Sequence, residues 1–162
     1  LITNFYKKIM VKNLWFNEFL WWLISLIMAI CILYPIIYNN LTYEFLWPNF
    51  LFILGSITFT RWLFFWHQTP YAWYQLIKIA IIFIMIPTVF VCINYFSEFK
   101  NFIDEIGLQE IVSNLKSEDQ AAMSLYIRNE MILFSISCII SGICVPFKLI
   151  WNIWKQYNLG QV

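Results

Sequence analysis

Charge is sorted around four apolar stretches in this chain, and that sorting restricts the folds open to it. The stretches 19–38, 45–66, 74–95 and 131–150 hold no Asp or Glu in their middles. The segments that would share one side of a membrane carry Lys7, Lys8, Lys12, Glu18, Arg61, Lys78, Lys148 and Lys155, a sum of +6. The other segments carry Glu44, Glu98, Lys100, Asp104, Glu105, Glu110, Lys116, Glu118, Asp119, Arg128 and Glu130, a sum of −5. A soluble domain has no reason to divide its charges in this way. A polytopic membrane protein does, because Lys and Arg stay on the cytoplasmic side. The near-zero net charge hides this separation.

Composition agrees: 62% of the residues are hydrophobic and 12% charged, whereas about a quarter are charged in ordinary soluble domains. A single membrane domain over 1–162 is expected. The chain opens at Leu1 rather than Met, which leaves room for a short leader ahead of it. The first apolar stretch exceeds a signal-peptide core of ~7–15 residues and lacks a small-residue cleavage site, so it reads as retained. Cys31, Cys92, Cys138 and Cys144 all fall within apolar stretches and read as small buried hydrophobes rather than as a disulfide framework or metal site. His67 is the only histidine and there is no Cys-x-x-Cys pair.

Each stretch is long enough to cross ~30 Å of hydrocarbon as a helix at ~1.5 Å per residue. Pro35 lies in the last turn of the first and Pro48 in the first turn of the second, where a missing N–H is harmless. The six- and seven-residue links 39–44 and 67–73 force antiparallel neighbours. Pro87 is predicted to kink the third helix and Pro146 to break or kink the inner end of the fourth. Residues 3–17 read either as a short interfacial helix, with Phe5, Ile9, Lys12 and Phe16 on one face, or as a flexible basic tail.

The segment 97–127 is the one long hydrophilic stretch. Phe99, Phe102, Ile103 and Ile106 recur at helical spacing, which predicts a short amphipathic helix lying on the outer membrane face or on a partner, ending near Gly107. Ser117-Glu118-Asp119-Gln120 reads as a capping box. From Glu118 no breaker appears before Gly142, so the last helix is predicted to run to Val145, ~42 Å, with its first turns projecting beyond the lipid.

Chemistry within a membrane is usually marked by an ionisable residue at depth, and the middles of these stretches have none. Arg61 and Lys78 lie about one turn from the inner ends and are placed to snorkel to the interface. Together with Trp62, Trp66, Trp151 and Trp154 they form an expected set of interface anchors. Of nine tryptophans only Trp47 falls on the outer side; the inner girdle reads as an anchor or as an aromatic patch for a partner. Gly55, Ser137, Cys138, Ser141 and Gly142 form small-residue steps that let backbones approach closely, either between this chain's own second and fourth spans or onto another subunit. His67 with Gln68 and Arg61 is the nearest approach to a polar cluster, without a positioned acid or nucleophile. The outer carboxylates do not match an EF-hand loop. No phosphate loop, nucleophile elbow or zinc helix is present.

The stretches Gly55-Ser-Ile-Thr-Phe-Thr-Arg61, Phe102-Ile-Asp-Glu-Ile-Gly-Leu108, Tyr126-Ile-Arg-Asn-Glu-Met131 and Pro146-Phe-Lys-Leu-Ile-Trp151 resemble those of an uncharacterised family of small four-span inner-membrane proteins from Bacteroidota. The resemblance covers roughly two-thirds of the chain. It implies a bacterial inner membrane, no known catalytic residues, and association with TonB/ExbB/ExbD-type proton-driven motors. A mitochondrial inner-membrane subunit encoded by an AT-rich genome would share the composition.

The expectation is an all-α integral membrane protein with four transmembrane helices, cytoplasmic termini and an extracytoplasmic helical loop between the third and fourth. Its expected role is that of a non-catalytic accessory subunit with other membrane subunits and lipids as partners, and no cofactor, metal, nucleic acid or small-molecule substrate. A small homo-oligomeric channel or transporter is one alternative; a membrane enzyme acting on lipid through His67 and Arg61 is another.

Overall fold

Backbone N–H and C=O groups surrounded by apolar side chains must bond within their own segment, and a helix achieves this without a partner. The computed structural model describes residues 2–158, with side chains from Asn13 onward, and is helical throughout, with no strand among the described residues. The helices are α1 (Ile2–Tyr38), α2 (Leu46–Phe65), α3 (Gln75–Glu105), the single turn α4 (Gln109–Val112) and α5 (Ser117–Asn158), with two short 3-10 turns between α2 and α3. Four helices are long and apolar enough to cross a membrane. The face predicted from Phe5, Ile9 and Lys12 lies outside the described side chains.

Four features differ from the sequence reading. Residues 3–17 are neither a separate interfacial helix nor a flexible tail but the first turns of α1, which is continuous from Ile2 to Tyr38. α3 does not stop near residue 95; it continues to Glu105 and absorbs the predicted amphipathic helix into its own last turns. α5 passes through Pro146 to Asn158 instead of breaking there. In apolar surroundings, unwinding around a proline would strand several backbone groups, whereas the proline itself removes one bond. Gln120 does not close a capping box on Ser117: its Nε2 reaches back to the Leu115 carbonyl at 2.9 Å.

Two residues in the left-handed region follow helices at the end of the bundle that carries the α1–α2 link. Asn40 (φ 49°) follows α1, with Leu41 N–H donating to the Ile36 carbonyl at 3.3 Å and Asn40 N–H to the Ile37 carbonyl at 3.0 Å. This is the Schellman pattern. Gly107 (φ 84°) stops α3, a conformation open to glycine because it lacks Cβ.

α5 is the central helix. It packs along α2 and α3, and α1 leans on α2. The Tyr126 hydroxyl donates to the Ile32 carbonyl at 2.6 Å, tying α5 to α1. α3 meets the bundle along one narrow seam, with Lys78, Met85 and Phe99 buried at multiples of seven residues, the period of a coiled-coil contact. Its other faces present Leu76, Phe83 and Phe90, which are at least two-thirds exposed.

The main core lies toward the end carrying the α1–α2 link, where Phe99 and Val112 join Ile36, Ile53, Ile127 and Met131. A smaller core at the opposite end gathers Trp66, Met85, Val145 and Leu149.

Candidate functional site

Neighbouring helices, antiparallel for α1 with α2 and for α3 with α5 and parallel for α2 with α5, bring residues distant in sequence to the same end of the bundle, and the polar residues meet there in pairs. At the end holding the α2–α3 link, Glu18 of α1 and Arg61 of α2 form a buried ion pair through Oε2 and Nη2. The guanidinium also lies 5.4 Å from the centre of the Trp21 ring, within cation–π range. Trp15 packs edge-on to Tyr71 at 5.7 Å, and Tyr71 in turn packs on Trp62. This aromatic wall keeps the Tyr71 phenol above its ordinary range, chiefly by burial and next by the Glu18 carboxylate, with Arg61 opposing.

At the same end, Lys78 of α3 is fully buried. Its Nζ donates to Asn152 Oδ1 at 2.9 Å and Gln156 Oε1 at 2.7 Å on α5. At the opposite end, Asn49 of α2 donates through Nδ2 to Glu130 Oε1 of α5.

A groove runs between α2 and α3, both of which pack on α5. Its volume is about 660 Å³. Pro48, Leu51 and Phe59 form one wall, Phe83, Pro87 and Val91 the other, and Cys138 of α5 lies at its base. Cys92 and Cys138 approach to 3.9 Å between their sulfurs.

The residues singled out from sequence divide into three groups. The small-residue stripe turns inward. A Cβ on Gly55 would lie 2.6 Å from Cys138 Sγ, and one on Gly142 would lie 3.0 Å from Val89 Cγ2. Ser141 is buried and Ser137 half-buried, so this stripe is where α5 meets α2 and α3.

The expected interface anchors separate. Arg61 and Lys78 do not extend freely to an interface; both heads are buried with partners on neighbouring helices, because antiparallel packing supplies polar groups nearer than water. Trp66 is core and Trp62 half-buried against it. Trp151 and Trp154 remain exposed, 5.2 Å apart by ring centre.

The expected outer docking stripe is largely used within the chain. Phe99 is fully buried; Phe99 and Phe102 each sit 5.4 Å from the Phe45 ring. Ile103 packs on the same core, and Ile106 stays exposed.

Sequence reasoning passed over Glu18, Asn49, Glu130, Asn152 and Gln156. Each sits at or beyond the edge of an apolar stretch, where a polar residue looks solvated. The available signal was the antiparallel register, which places Glu18 level with Arg61. His67 is exposed, and Arg61 is enclosed with Glu18. Among the described residues, no group of three or more His, Cys, Asp or Glu is placed to hold a metal ion.

Comparison with protein-family models, with curated proteins and with solved structures finds no match to this chain.

Proposed function

We propose that this chain is a non-catalytic subunit of a larger inner-membrane assembly and that the groove between α2 and α3 receives a transmembrane helix of a partner subunit. The groove carries this reading. Its walls run from Pro48 to Trp62 on α2 and from Phe83 to Tyr95 on α3, about 20 Å along the bundle at ~1.5 Å per residue. They are almost wholly apolar, as a helix-binding surface within lipid requires. α3, held along one seam, leaves its adjoining face open.

The same reading places the end bearing Arg61, Lys78, Lys148 and Lys155 in the cytoplasm, following the positive-inside rule, and the α4 end outside. The resemblance noted from sequence makes a TonB-type proton-driven motor the first assembly to examine.

The test is a groove-filling variant. Thr88→Trp and Val91→Trp are introduced separately, and the tagged protein is extracted gently from its native membrane. Native mass spectrometry is expected to find a partner subunit with the parent chain and its loss from the variants, at unchanged melting temperature. Partner retention by both variants, or recovery of the parent as a lone and functional monomer, would refute the proposal.

A further inference from the structure

A cluster of buried oxygens sits at the end of the bundle formed by the α1–α2 link. Asn49 donates its Nδ2 to Glu130 Oε1, and the Tyr43 phenol is buried near enough to feel the Glu130 carboxylate. Tyr43, Asn49 and Glu130 are 7%, 0% and 7% exposed. Three of their oxygens, Tyr43 OH, Asn49 Oδ1 and Glu130 Oε2, are buried and have no hydrogen-bond partner.

Counting donors shows what is missing. Burial first, and then the Glu130 carboxylate, holds the Tyr43 phenol well above its ordinary range, with Asn49 opposing. Tyr43 is therefore neutral and supplies one O–H. Two acceptors, Asn49 Oδ1 and Glu130 Oε2, need one each. Asn49 Nδ2 carries two N–H groups; one is on Glu130 Oε1, the other cannot reach its own Oδ1, and Glu130 Oε2 has no donor. An ionised Glu130 therefore buries a full negative charge with that oxygen unpaired, and an unpaired buried charge is far costlier than an unpaired dipole.

No neighbour compensates. The sole ion pair among the described residues is the remote Glu18–Arg61. On α5, Arg128 is exposed and the Tyr126 hydroxyl is used on Ile32. α1 contributes apolar Leu33 and Ile36 to this core, and α3 contributes Phe99.

We propose that the Tyr43–Asn49–Glu130 cluster is a binding site for one proton, taken up on Glu130 Oε2 from the aqueous phase at that end of the bundle. One proton removes the charge and provides the missing donor. A divalent metal would need about six oxygens around it, and this cluster supplies four, from Tyr43, Asn49 and Glu130. A proton needs no such coordination. Access is short: Thr42 and Glu44, on either side of Tyr43, border a cleft of about 370 Å³ that Glu110 also lines. The site is independent of the groove and of the partner proposed for it.

The test uses the intact chain in liposomes and dicyclohexylcarbodiimide, which modifies buried carboxyls in their protonated form. Labelled peptides are read by mass spectrometry across a pH series. Glu130 is expected to label at acidic pH and to lose labelling along a one-proton curve as pH rises. Glu130→Gln abolishes the label, and Tyr43→Phe moves the midpoint. Should Glu130→Gln fail to fold, the infrared carbonyl band of a protonated carboxyl in the parent chain is expected to fade over the same pH range. Absence of Glu130 labelling at every pH, labelling independent of pH, or protection by sodium chloride that potassium chloride does not give would each overturn the proposal. The last result would assign the site to an alkali cation.

Discussion

Glu18 and Arg61, 43 residues apart in sequence, meet as a buried ion pair that joins α1 to α2. Neither residue extends to an interface, and the Trp21 ring covers the guanidinium. Removing two charges from water is costly, and their attraction repays this only while both are present. Arg61→Leu alone is therefore expected to lower stability by about 3–5 kcal/mol, and Glu18→Leu similarly, because each strands a buried charge. The double variant Glu18→Leu/Arg61→Leu should recover most of the loss. Unfolding in detergent measures all three; a double variant as unstable as the sum of the singles would contradict this account.

Gly55 and Cys138 set how closely α2 approaches α5. A methyl group at Gly55 would lie 2.6 Å from the Cys138 sulfur, so Gly55→Ala is expected to cost about 1–3 kcal/mol through overpacking. Cys138→Ala removes the obstructing atom, and Gly55→Ala/Cys138→Ala should be more stable than Gly55→Ala alone. Gly142→Leu should be worse than Gly55→Ala, since its side chain would meet Val89, Met85 and Phe59 together. Melting curves of the four variants decide the order.

Lys78 holds the N-terminal end of α3 to α5 through Asn152 and Gln156. Interhelical hydrogen bonds in membranes contribute about 0.6 kcal/mol on average and up to ~1.7. Lys78→Leu removes two of them, so a loss of about 1–3 kcal/mol is expected. Because α3 has only one seam, the loosening should be local. Hydrogen exchange is expected to rise in the first turns of α3 and to stay unchanged around Phe99; uniform exchange along α3 would argue against Lys78 as a local tie.

Orientation is testable with single cysteines in a chain whose native cysteines are replaced by alanine. Ser113→Cys, near α4, should react with an impermeant maleimide from outside the cell. Tyr157→Cys, at the end of α5, should react only after the membrane is opened. Reaction of both from one side would defeat the four-span arrangement.

The four long apolar helices and their approximate positions were legible in the sequence, because hydropathy over about twenty residues reports directly on whether a backbone can remain in lipid. So was the small-residue stripe of Gly55, Cys138 and Gly142, since close approach requires small side chains wherever the partner lies. The ends of the helices were less legible. The Phe99–Phe102 stripe announces a helix with an apolar side, but its period is the same whether that side meets lipid, another subunit or this chain's own Phe45.

The polar pairs required the tertiary structure. Glu18, Asn49 and Glu130 each lie at the margin of an apolar stretch, where sequence alone reads a residue as solvated. Burial there depends on what the neighbouring helix offers at the same height: Arg61 for Glu18, Asn49 for Glu130, Asn152 and Gln156 for Lys78. Local hydropathy is a property of one segment and can be summed along it. Charge pairing is a property of two segments, and it is decided only when the helices are placed side by side.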